Sequence, residues 1–412
     1  MRDVNLFRKR WEIALSGIVM QVLLGTVYGW SVFKYPLMSK HHWSGPEVAM
    51  AFTLAIFFIG VSAAFGGRFV DRAGARKIAT LAAILFGTGT LIAGYADFIG
   101  SKLLFWFGYG VVAGTGNGLG YITPIAILVR WFPDKRGMIT GLAVMGFGFG
   151  GALMGQVAPL LILHVGVAGT FFIAGTLFLV VLLAAARHMV NPPDDWHTRI
   201  SQEKATSSRP VAASIDFKTA RSMCQFYLLW FILFINVTAG IALISNLSPM
   251  AQSQMHLTAV SAGTLILVAS LFNGFGRIFW AAISDRIGRK NVFLLIFGTQ
   301  IPVFIFLPQV TSLILFGAFC CYILFCYGGG FATMPSFTTD TFGPRNIGGI
   351  YGPILLSWGI AGVVGPMMME YIKQLSNSFS TALLIASGML IIGFFLTLMY
   401  RKPSLMCQEE KP

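Results

Sequence analysis

Arg277 is the residue in this sequence with the most chemistry to offer. It lies in SLFNGFGRIFW (270–280), inside an apolar run from about Leu257 to Ile283. A run of that length crosses a bilayer core as a helix, which takes roughly 20 residues. The next charge along the chain, Asp285, lies eight residues on, roughly 12 Å at the helical rise. A guanidinium this deep in hydrocarbon is costly and marks a functional site by default. To snorkel to the interface it would have to reach past two helical turns. Its planar fork of donors matches both oxygens of a carboxylate. The rest of the chain is expected to hold this cation where an organic anion reaches it.

Other side chains repeat the helical spacing of four. Asn273 precedes Arg277 by four, Asn117 precedes Tyr121 by four, and Tyr327 and Phe331 flank Gly328-Gly329-Gly330. Each pair shares one helix face, about midway along its apolar run. Aromatic walls with a few aimed polar groups and one Arg form a pocket suited to a small anion. Taken singly, each aromatic also fits plain helix packing, and Asn117 also fits a hydrogen bond between helices.

Composition sets the class. Hydrophobic residues make up 56% of the 412 and charged residues 11%, where a soluble protein carries about 25% charge. The apolar runs are long and unalternating, so an all-α polytopic membrane protein is expected rather than a barrel. Twelve spans are predicted, at about 11–35, 48–69, 76–96, 101–130, 137–164, 168–190, 222–247, 257–283, 290–309, 311–338, 347–372 and 378–400. The start of the chain has a signal peptide's charge pattern, but its apolar run is too long for one. Of the 29 lysines and arginines, 24 fall on the side of the termini. Lys34, Lys40, Lys102 and Lys373 fall on the other, and the last is Arg277. That bias predicts cytoplasmic termini and accounts for the net charge of +14 without nucleic acid. The five cysteines have no metal-ligand spacing, and no cofactor or metal is expected.

One long polar segment, 191–220, divides the spans six and six. Residues 1–190 and 221–412 are predicted to form two six-helix bundles, joined by a cytoplasmic linker and ending in a short cytoplasmic tail. An internal repeat supports the division. DRAGAR (71–76) follows span 2 and DRIGRK (285–290) follows span 8, with Asp71 and Asp285 214 apart. Two bundles related along the membrane normal form a known transporter architecture.

These paired D-R-x-G-x-[RK] loops, with twelve spans split six and six, resemble the signature of the major facilitator superfamily. The resemblance implies gating roles for Asp71, Arg72, Asp285 and Arg286 as the bundles rock. More narrowly, RWFPDKRGMITG (130–141) and FNGFGRIFWAAISDRIGR (272–289) resemble the oxalate:formate antiporter and monocarboxylate transporter families. That resemblance implies a carboxylate-binding role for Arg277, with Tyr28, Tyr121, Tyr327 and Phe331 as pocket aromatics. Two positions depart from those families. Trp358 stands where the antiporter has a span 11 lysine, and Asn273 stands where animal monocarboxylate transporters have an aspartate.

Two function classes compete. An enzyme or sensor would need clustered histidines, a nucleotide loop or an intramembrane carboxylate pair, and the spans show none. A secondary transporter is therefore expected, multi-pass in a plasma membrane (the inner one in a Gram-negative cell) and working as a monomer. One cation in the spans, with Glu12, Asp340 and Glu370 at span edges, predicts small monocarboxylates of the lactate, pyruvate or formate class. Proton symport is the expected coupling. Carboxylate exchange of the antiporter type is the alternative, with a counter-anion in place of the proton.

Overall fold

The computed structural model describes residues 2–132, 136–193, 196, 215–343 and 347–403, and the side chain of Asp71 lies outside what is described. The described chain is helical almost throughout. Among the described residues, eleven helices are long and apolar enough to cross a membrane, and one of these, Gly141–Ala186, runs 46 residues. Gly166 divides it, with φ 71° and ψ −179°. That backbone is essentially restricted to glycine. Spans 5 and 6 are thus two spans meeting at Gly166, and the twelve expected spans are present.

The observed spans are Lys9–His41, Gly45–Ala73, Ala75–Ile99 and Lys102–Trp131, then 5 and 6 within Arg136–Ala186. Spans 7 to 12 are Cys224–Ile244, Ala259–Ile287, Arg289–Phe306, Leu313–Phe342, Ile347–Ser376 and Ser380–Met399. Ser44 opens span 2 with a reciprocal cap: its hydroxyl accepts from the Glu47 amide, and the Glu47 carboxylate accepts from the Ser44 amide, satisfying two amides the helix leaves unpaired. Gly74 and Gly288 end spans 2 and 8 at φ 89° and 90°, so the two repeated loops turn alike.

Two spans depart from a regular α-helix. In span 1 the stretch Gly25–Phe33 is a 3₁₀ helix, unusually long for that form. In span 4 Trp106–Ala113 is π-helical. The glycines spaced by four in span 4 make the close contacts their spacing predicts; a Cβ on Gly114 would lie 2.7 Å from the Ala55 carbonyl oxygen of span 2. Spans from the first and second six also meet through glycines. Gly148 of span 5 lies on Gly274 of span 8, and Gly60 of span 2 lies on Gly359 of span 11.

The segment 191–220 is not wholly solvated. Trp196 is buried, and its Nε1 donates to the Trp131 carbonyl at 3.0 Å.

Because Gly166 holds a backbone that a Cβ disfavours, Gly166→Ala is expected to destabilise the protein by about 1–3 kcal/mol. Gly141→Ala, in helical backbone with open space around it, should instead stabilise by about 0.4–1 kcal/mol. Thermal unfolding of both variants in detergent checks the difference.

Candidate functional site

Span 8 brings Arg277 to the centre of the protein, where it is 1% exposed. Its stem lies against Gly328; a Cβ there would come within 3.1 Å of Arg277 Cγ. The glycine run between Tyr327 and Phe331 thus lets span 10 press onto span 8. Arg277 Nε donates to Asn273 Oδ1 at 3.4 Å, which fixes the plane of the fork. Nη1 and Nη2 have no hydrogen-bond partner. Buried guanidinium donors are normally satisfied, so this pair points to a missing acceptor. The guanidinium carbon sits 5.5 Å from the centre of the Phe331 ring, a favourable cation–π placement.

Six aromatic rings close a circuit beside it. The order is Tyr28, Phe147, Tyr121, Trp358, Phe331, Tyr327 and back to Tyr28. The centroid separations, in that order, are 5.1, 5.1, 5.3, 5.1, 5.2 and 5.8 Å. Every contact is edge-on, the favoured geometry for such pairs. Tyr28, Phe147 and Tyr121 come from spans 1, 5 and 4; Trp358, Phe331 and Tyr327 come from spans 11 and 10. The circuit crosses between the first and second six spans twice. One crossing is polar: the Tyr28 and Tyr327 hydroxyls are hydrogen-bonded at 2.7 Å. All six rings are buried. The Tyr28 and Tyr121 phenols stand close to the Arg277 charge, but neither hydroxyl meets hydrogen-bond geometry with Nη1 or Nη2.

The structure therefore brings together Arg277, Asn273, Tyr28, Tyr121, Tyr327, Phe331 and Trp358. It also adds Phe147, which the sequence reading missed. Phe147 stands in GFGFG (146–150), where it and Phe149 each lie between glycines and nothing in the sequence distinguishes them. Asn117 is engaged elsewhere. Its Nδ2 donates to the Leu24 carbonyl of span 1 at 2.8 Å while Oδ1 has no partner, the helix-to-helix bond that its type also allowed.

The residues expected at the gate are less gathered. Asp285 pairs across the Gly288 turn with Arg289, the first residue of span 9, at 2.6 Å, and Arg289 also reaches Asp340 of span 10 at 3.1 Å. These bonds stay within the second six spans. Arg72 and Arg286 are exposed.

Two charges are not where the sequence put them. The sequence places Lys34 on the outer side and Glu370 at a span edge; both are buried and ion-paired to each other. Arg277 is therefore not the one buried cation in the spans. The reason is packing: each ends an apolar run, and the two ends meet between the first and second six spans. Asp97 is likewise buried, held by Lys40 and His41 at 2.7 Å each.

The family model described as Major Facilitator Superfamily matches residues 15–366. The chain belongs to the major facilitator superfamily. It is thus a transporter-family protein rather than an enzyme. The uncharacterized MFS-type transporter YhjX of Escherichia coli K12 is 29% identical over 368 residues, covering 88% of each chain. The oxalate:formate antiporter of Oxalobacter formigenes is 27% identical, covering 96% of this chain and 92% of its own. Monocarboxylate transporter 14 of mouse is 22% identical, covering 94% and 89%. Among solved structures, a bacterial homologue of the lysosomal transporter Spinster, inward-facing and occupied, superposes with a TM-score of 0.71 at 15% identity over 94% of this chain and 96% of that one. That likeness is of superfamily fold.

The hydroxyl bridge should behave as one unit. Tyr28→Phe and Tyr327→Phe are each expected to cost about 1 kcal/mol, and the double variant little more than either single. A double-variant cycle on thermal stability measures the coupling.

Proposed function

We propose that this protein is a secondary active transporter of small monocarboxylates of the lactate, pyruvate or formate class. It works by alternating access, with the substrate carboxylate held by Arg277. The observation that carries this reading is the pair of unpartnered guanidinium nitrogens beside the aromatic circuit. A carboxylate would satisfy both at once. The rings would enclose the short carbon chain and exclude water, which strengthens the ion pair. Trp358 supplies a ring rather than a second cation. One fixed charge matches one carboxylate, and a second would be left uncompensated at a cost of several kcal/mol.

Proton symport is the coupling we propose. The circuit contains no carboxylate, so the proton would travel with the substrate or through the phenols. The likeness to the oxalate:formate antiporter, together with a fixed Arg277 charge that resists moving empty, favours exchange as the second reading. The basic-residue bias supports a plasma-membrane protein with cytoplasmic termini. Asp71 and Asp285 are proposed to act in the cytoplasmic gate with Arg72 and Arg286.

Arg277→Ala removes the charge and two charged hydrogen bonds of about 1.5–3 kcal/mol each, so uptake into proteoliposomes should fall by about 100-fold or more. Arg277→Lys keeps the charge but loses the fork and should remain severely impaired. Near-normal uptake by the alanine variant would overturn the site. Labelled lactate offered to empty liposomes separates the couplings. Symport gives uptake that rises with an inward proton gradient, whereas exchange gives uptake only after preloading with unlabelled carboxylate.

A further inference from the structure

The face of the protein opposite the termini carries a polar cluster that the transport site does not use. Lys34 of span 1 is 1% exposed. Its Nζ pairs with the Glu370 carboxylate of span 11 and donates to Asn246 Oδ1 at 2.5 Å. Asn246 follows span 7 and is itself oriented. Its Nδ2 donates to the Ala242 carbonyl at 3.1 Å and to Ser245 Oγ at 2.9 Å, which turns Oδ1 to the lysine. Glu370 also lies against Gly45 at the start of span 2, and a Cβ on Gly45 would collide with its Oε2. Two segments of the first six spans are thus clasped by two of the second six.

Weaker contacts surround the cluster on the same face. The Ser248 amide donates to Ser31 Oγ at 3.3 Å, the Tyr35 hydroxyl reaches the Pro249 carbonyl at 3.4 Å, and Lys373 lies 5.7 Å from the Tyr35 ring. Among the described residues, the polar contacts between the first and second six spans lie at the level of the aromatic circuit or beyond it toward this face. The pair also lies outside the circuit. Lys34 is six residues past Tyr28, roughly 12 Å at the 3₁₀ rise, and Glu370 is twelve past Trp358, roughly 18 Å along an α-helix.

A buried ion pair adds little net stability over apolar side chains of the same size, while losing one partner is severe. Such a pair is well suited to specifying an arrangement. Here it specifies contact between two groups of spans whose separation would open this face. We propose that Lys34 and Glu370, steadied by Asn246, form the latch that closes the face opposite the termini, and that the two must part for the transport site to open there. Opening admits water to both charges, so the separated partners are solvated rather than stranded. The latch controls which face is open; it does not bind the substrate. This goes beyond the transport reading and does not depend on which anion is carried.

The test is conformational. Spin labels at His42→Cys and Leu375→Cys, both exposed on this face, report its width in liposomes by pulsed electron resonance, with Cys224 and Cys407 replaced. The unmodified pair should give mostly the short distance. Glu370→Gln and Lys34→Met should each raise the long-distance population about tenfold or more. The exchanged pair Lys34→Glu with Glu370→Lys should return it toward the short distance. If a single variant does not fold, the uncharged polar double variant Lys34→Gln with Glu370→Gln, which puts no apolar contact in the pair's place, replaces it and should also shift to the long distance. Folded single or double variants that keep the parent distribution overturn the latch. So does an exchanged pair no more closed than the singles. Loss of uptake by Arg277→Ala with this distribution intact would leave the two assignments separately judged.

Discussion

The structure is built around a charge that it does not neutralise. Arg277 sits beside aromatic rings, three of them phenols, with one long hydrogen bond to Asn273 and no acceptor at Nη1 or Nη2. Leaving a buried charge uncompensated costs several kcal/mol, and the Phe331 ring and the Asn273 amide offset only part of it. The surroundings are arranged to keep the cost rather than remove it. Gly328 lets the stem lie flat against span 10, Asn273 sets the plane, and Phe331 covers one face of the ion. What remains exposed to the cage is the edge of the fork, the part that recognises a planar anion.

The aromatic circuit turns that single charge into a property of the whole chain. Three rings come from spans 1, 4 and 5 and three from spans 10 and 11, so neither group of spans encloses the site alone. The Tyr28–Tyr327 bond and the contacts of Trp358 with Tyr121 and Phe147 are the seams. Any relative motion of the two groups must open the circuit at these seams. Access to Arg277 and the arrangement of the spans are therefore one variable.

Much of this was legible in the sequence, and the reasons differ by residue. Arg277 stood out because depth in an apolar run is a one-dimensional property. Tyr327 and Phe331 were visible because they flank three glycines on one helix face. The twelve spans followed from run length, and Gly166 accounts for the close succession of spans 5 and 6. Phe147 was not visible, since a phenylalanine among glycines in a membrane span is ordinary packing until its neighbours are known. Lys34 and Glu370 were misread for the same reason. Each alone looks like a polar residue at the end of a span, and the partnership is made across 336 positions. Asp285 shows the converse: the repeat marked it, while its bond in the structure is to Arg289, just across the Gly288 turn at the start of span 9.

The 3₁₀ stretch of span 1 has a mechanical consequence. Its threefold winding eclipses every third side chain, so Tyr28, Ser31 and Lys34 form one straight stripe that touches span 10, Ser248 and Glu370 in turn. In an α-helix, at 100° per residue, six positions would carry Lys34 about 120° around the axis from Tyr28. Rewinding Gly25–Phe33 to that form would also shorten it by about 4–5 Å. The segment is a screw: a change of pitch at one end of the stripe is a rotation at the other, and the three contacts along it cannot be broken independently.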